Sequence, residues 1–275
     1  MPTLADKDYF KLAVIFYGLS AMYSVFLWRK GFREDNRINY FLMLAAGIFN
    51  TTAMVKRGFS LSRCPVNNIF EAMMFVSWTI VAVYLAVGLF QRLRFLGAFA
   101  APFLLAIGTF ALMPALDVQG NPGEPHFENG WISLHAAVIL LAYGAFGLSS
   151  IAGVMYLTQE HDLKFRKMRA VLSRMPSVER LERVTNRALL VGFVLLTIGL
   201  ALVPVIVKQT PGLVVTGDPK VAWSIFVWAL YLALLGWRWR FSAGGRAIAW
   251  GAIGSFCFVM LTFWGFTLLS PVHMR

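Results

Sequence analysis

The sequence predicts an all-α membrane protein, a bundle of about eight transmembrane helices, and three observations carry that prediction. Of the 275 residues 59% are hydrophobic and only 14% are charged, against roughly 25% charge in a soluble domain. The mean hydropathy is +0.67. The apolar residues stand in long runs, and a run of ~20 crosses a ~30 Å hydrocarbon core as a helix, which satisfies its own backbone hydrogen bonds.

The runs lie near residues 9–28, 40–55, 69–90, 95–115, 131–157, 188–207, 221–237 and 247–269, and together they form a single transmembrane domain over 1–275. The second and seventh are short. The opening MPTLADKDYF lacks the basic-then-apolar layout of a cleaved signal peptide, so the first run is expected to remain as a span. No soluble domain and no clear internal repeat is visible.

The net charge of +12 does not point to nucleic acid, because the basic residues sit in short segments between apolar runs, where they set topology. Arg29, Lys30, Arg33, Arg37, Arg92, Arg94, eight Lys and Arg from Lys164 to Arg187, and Arg238, Arg240 and Arg246 share one side, which makes 17 of the 25. That side is expected to be cytoplasmic, with both termini extracytoplasmic, in a membrane of the bacterial inner type. KRGFSLSRC runs against the count, with three basic residues on the outer side.

The longest cytoplasmic loop, 158–187, is basic. Phe165, Met168, Val171, Leu172 and Met175 follow a helical period there, which predicts an amphipathic helix on the anionic inner leaflet, ended by Pro176. It either joins two spans or docks a partner. The outer loop DVQGNPGEPHFENG has no helical or strand period.

Cys64 and Cys257 are far apart and form no CxxC pair, and no catalytic triad or phosphate-binding Gly-rich loop is present. The polar residues near the spans are more telling. Of His126, His135, His161 and His273, His135 lies four residues after Trp131 in NGWISLHAAVILLAYGAFG, just inside the outer boundary, and His273 follows the last span. Neutral imidazole is a ligand for iron, zinc and copper, and two facing imidazoles would hold a haem axially. The alternative is an imidazole that only hydrogen-bonds a neighbour near a helix end. Ala145, Ser149 and Gly153 form a small-residue stripe that turns His135 toward the bundle, and Ala247, Gly251 and Ser255 form another in the last span.

Glu71 enters the third span after Asn67 and Asn68, and an acid at that depth needs a partner. It either lines an outer cavity or belongs to a capping and packing cluster. In GDPK, Asp218 is a plausible N-cap with Pro219 at the first helical position, and Lys220 is interfacial. Beside a cofactor with carboxylates, Lys220 would pair with one.

Four segments, CPVNNIFEAMMFVSW, WISLHAAVILLAYGAFGLSSIAGVMYL, DPKVAWSIFVWALYLALLGWRWR and FWGFTLLSPVHMR, together resemble the integral-membrane cytochrome c assembly family, which includes CcsA-type and shorter HemX-like proteins. The resemblance covers roughly Arg63 to the C-terminus. It implies haem as cofactor, presented at the outer face, with an apocytochrome c and other cytochrome c assembly membrane proteins as partners in a haem lyase system. His135 and His273 fall at the family's two outer histidines, axial ligands of the haem iron. His135, His273, Asp218, Lys220 and Glu71 are the cofactor-binding set it implies. KQTPGLVVTGDPK has no tryptophan where the family carries a tryptophan-rich loop, and Ala233 stands about where larger members have a histidine within a span; the short length and the loop without tryptophan resemble the HemX-like branch. The alternatives are a regulatory or scaffold membrane protein without haem, and a transporter of a small solute or metal.

Overall fold

A computed structural model describes residues 5–29, 37–61, 68–89, 91–117, 130–165, 177–209, 219–241 and 244–269. The described residues contain eight α-helices and no strand: α1 (Asp6–Arg29), α2 (Arg37–Leu61), α3 (Ile69–Gly88), α4 (Gly97–Ala111), α5 (Gly130–Phe165), α6 (Val178–Gln209), α7 (Pro219–Phe241) and α8 (Gly245–Leu269). A 3-10 turn, Gln91–Leu96, leads into α4, and a second, Pro114–Leu116, follows it. Seven helices are long and apolar enough to cross a membrane, and α8 is apolar over Gly245–Met260.

Several helices outrun their apolar stretches. α5 has 36 residues and α6 has 32, which at 1.5 Å per residue makes about 54 and 48 Å. The stretch 178–187 is helix because Ser177 caps it: its Oγ accepts from the Arg180 amide at 3.3 Å, its carbonyl accepts from Arg180 and Leu181, and Glu179 sits in the positive first turn. Residues 166–176, which hold most of the expected amphipathic helix and Pro176, lie outside the described residues.

The helices run alternately up and down; the end at which α1, α3, α5 and α7 begin is here the upper end. In the first half α1 packs on α2 and α4, and α3 packs on both of those. In the second half α5 packs on α6 and α8, and α7 packs on both of those. The same order of pairing thus occurs twice, although the sequence shows no clear repeat. A matched hydrogen bond accompanies it: Trp78 Nε1 donates to Thr51 Oγ1 between α3 and α2, and Trp228 Nε1 donates to Thr197 Oγ1 between α7 and α6, each at 2.9 Å. The halves meet where α3 lies along α5. Gly144 makes that seam close, since a Cβ there would lie 2.3 Å from Thr79 Cγ2.

The α5 stripe points into the bundle. Ala145, Ser149 and Gly153 are buried, Ser149 Oγ donates to the Thr185 carbonyl of α6 at 2.9 Å, and Gly153 faces the Ala249 backbone of α8.

Candidate functional site

Two polar constellations occupy the upper end, one in each half. The second half holds His135, one and a half turns into α5. Its Nδ1 lies 2.8 Å from the Gly199 carbonyl oxygen of α6, so with the proton on Nδ1 the ring donates to that carbonyl. Gly199 permits the approach, because a Cβ there would lie 2.4 Å from Ile139 Cδ1, one turn beyond His135. A ring nitrogen bound to a backbone carbonyl fixes tautomer and orientation and leaves Nε2 with its lone pair, the arrangement of a metal-ligating histidine. The ring is half-buried.

The register of α5 and α8 sets what stands opposite. Gly153 faces Ala249 and Gly147 faces the Phe256 ring, so the helices are antiparallel and nearly one residue advances per residue. Continued at the same 1.5 Å rise, His135 comes level with about residue 269, where α8 ends. His273 is four residues farther on and lies outside the described residues, as do Asp218 and His126. Pro219 and Lys220 open α7 at the same end, with side chains that are not described. Among the described residues no group of three or more His, Cys, Asp or Glu is placed to hold a metal ion.

The first half is built differently. Arg57, near the end of α2 and 2% exposed, donates from Nε to Glu71 Oε1 of α3 at 2.8 Å, from Nη1 to Asp6 Oδ2 of α1 at 2.8 Å, and from Nη2 to Asp117 Oδ1 beyond α4. Lys7 pairs with Asp117 at 2.5 Å. Asn68 donates to Asp117 at 2.9 Å and accepts from the Glu71 amide at 2.8 Å, which caps α3. The Arg57 guanidinium lies 5.0 Å from the Phe70 ring centre. Burial alone would raise the Asp117 carboxyl, but Lys7 and Arg57 outweigh it and hold the group below its usual 3.8. One guanidinium thus ties α2 to α1, to α3 and to the turn that follows α4, and Glu71 is fully buried within the tie.

Of the expected site residues, the structure sets His135 against α6 and Glu71 against Arg57; the others lie outside the described side chains. Arg57 was not singled out by the sequence reading. Its signal was KRGFSLSRC, basic residues on the minority side, facing acids at three other helix ends of that side: Asp6, Glu71 and Asp117.

A family profile described as cytochrome C assembly protein matches residues 66–273. The chain belongs to the cytochrome c assembly protein family. Among its relatives, a protein named cytochrome c biogenesis protein CcsA from Gloeobacter violaceus is 24% identical over 80% of each chain. One of the same name from Trieres chinensis is 24% identical over 88% of each, and a protein named HemX from Brevibacillus brevis is 27% identical over 94% of each. The family match spans α3 to α8 and omits α1 and α2. As a family member with these helices, the chain is a multi-pass membrane protein.

Proposed function

We propose that this member handles haem in cytochrome c maturation and presents it at the upper end, the extracytoplasmic face of a bacterial-type inner membrane, with His135 and His273 as axial ligands. The observation that carries the reading is the His135 ring, aimed by the Gly199 carbonyl and level with the end of the helix that leads to His273. Bound haem would supply an iron that neutral imidazole ligates, and His135 and His273 would be the residues that hold it. The chain's own residues orient that imidazole and keep its Nε2 available. Lys220, opening α7, is suited to a propionate, and Asp218 to capping the same helix. The carboxylate of Glu71 serves the Arg57 tie, which holds the neighbouring half rigid. An apocytochrome c and other membrane proteins of cytochrome c assembly are the partners this reading calls for; the thioether-forming thiols come from the apocytochrome.

Absorption spectroscopy of the purified full-length protein, with and without dithionite, tests it. Low-spin Soret and α bands are expected. His135→Ala and His273→Ala should each weaken or shift them while far-ultraviolet circular dichroism stays helical. A haem-free preparation that retains a soluble partner through residues 158–187 would instead support the scaffold reading.

A further inference from the structure

The lower end carries a cleft apart from the two upper-end constellations. Between the start of α2 and the 3-10 turn before α4, Arg37, Tyr40, Phe41 and Arg94 line an open cleft of about 290 Å³. Its parts are held in place. The Tyr40 hydroxyl donates to the Leu85 carbonyl at 3.0 Å, and Arg94 Nε donates to the Gly88 carbonyl at 2.9 Å. The Arg94 guanidinium lies 5.1 Å from the Tyr40 ring centre. Gly88 makes room for this stack: a Cβ there would meet Tyr40 Cε2 at 2.7 Å and Arg94 Cγ at 3.8 Å. Among the described residues, the two terminal nitrogens of Arg94 have no hydrogen-bond partner. An arginine fixed through Nε and an aromatic face, and lining an open cleft, is preorganised for a phosphate or carboxylate. Arg37 adds a second cation, in the first turn of a 25-residue helix whose amide end attracts anions.

Depth and surroundings choose among anions. Arg37 and Arg94 each open an apolar span, Arg37–Ser60 and Arg94–Ala111, which sets the cleft at headgroup level. Beside it Ile38, Phe41 and Leu89 are 53%, 63% and 71% exposed; Ile38 and Phe41 follow Arg37 into the span, on its membrane side, with Tyr40 at the boundary where aromatic rings settle. A charged head over an apolar tail matches that layout, and basic pockets between membrane helices take anionic headgroups.

We propose that this cleft binds the headgroup of an anionic phospholipid, with Arg94 and Arg37 on its phosphate and the acyl chains along Ile38 and Phe41. Native mass spectrometry of the full-length protein titrated with phosphatidylglycerol or phosphatidylcholine tests it. Wild type should retain phosphatidylglycerol in preference to phosphatidylcholine. Arg94→Gln and Arg37→Gln should each reduce the adduct about fivefold, and Gly88→Ala should reduce it by displacing the Tyr40 ring on which Arg94 stacks. Arg240→Gln, a charge at the same end outside the cleft, should retain it. Equal retention of the two lipids, equal loss in Arg240→Gln, or an undiminished adduct in both arginine variants would overturn the proposal. Displacement of the lipid by millimolar inorganic phosphate would also overturn it, since the cleft would then be a free-anion site. Arg37→Gln decides alone if Arg94→Gln does not fold.

Discussion

The two four-helix halves pair in the same order and differ at their upper ends. In α1–α4 that end is closed: Arg57 bonds Glu71 through Nε, Asp6 and Asp117 through Nη1 and Asp117 again through Nη2, and Lys7 and Asn68 complete Asp117. In α5–α8 the corresponding level holds His135, with one nitrogen committed to Gly199. A fully satisfied ionic cluster locks helices together and has little capacity left for a ligand. A half-satisfied imidazole contributes less to stability and retains a lone pair. One architecture thus supplies a tied half and a half with an available imidazole, which on the proposed reading bears the ligand, and the α3–α5 seam joins them.

The largest effect should come from breaking the closed end. Arg57→Ala leaves Glu71, Asp6 and Asp117 without their shared cation, and removing one partner of a buried ion cluster costs about 3–5 kcal/mol. Thermal unfolding of the purified protein should show a large drop in midpoint, with Arg57→Lys intermediate because its point charge cannot meet three acids at once. Below the unfolding temperature the haem bands of the second half should persist. Their disappearance from a folded Arg57→Ala protein would show that the two ends act as one site.

A smaller effect follows from acid. The Asp117 carboxyl is held below 3.8 by Lys7 and Arg57 despite its burial. A folded-state value below the unfolded one gives stability that is present above about pH 3.8 and lost as pH falls through the lower, folded value. Asp117→Asn should remove that part of the acid sensitivity, and at neutral pH it should cost about 1.5–3 kcal/mol, the range for hydrogen bonds to charged groups. Unfolding midpoints at pH 7 and pH 3 check both. An unchanged acid profile in Asp117→Asn would mean that other carboxyls govern the closed end.

These contrasts were only partly legible in the sequence. The helices were, because apolar runs of membrane length have few other solutions. The inward turn of His135 was, because Ala145, Ser149 and Gly153 mark the packed face. Its partner was not: Gly199 accepts through its backbone, and a glycine within an apolar helix carries no mark of the bond it will make. The Arg57 partners are 51, 14 and 60 residues away, so only the fold reveals them. Arg37 and Arg94 counted as topology signals, and what makes them a cleft is the space at Gly88, a property of two helices together.

The smallest effect tests the likeness of the halves. At mid-height, Thr51 Oγ1 donates to the Gly47 carbonyl at 2.7 Å and accepts from Trp78, while Thr197 Oγ1 donates to the Phe193 carbonyl at 2.8 Å and accepts from Trp228. Thr51→Val and Thr197→Val keep side-chain volume and remove the acceptor. Hydrogen bonds between membrane helices average about 0.6 kcal/mol, so each should lower stability by that amount, and the pair should add. Equal losses, with the haem bands unmoved, would place the difference between the halves at their upper ends alone. A markedly larger loss for Thr197→Val, with a shifted Soret band, would mean that the α6–α7 contact also holds the carbonyl that aims His135, two residues farther along α6, so that the proposed ligand end depends on packing about half a turn below it.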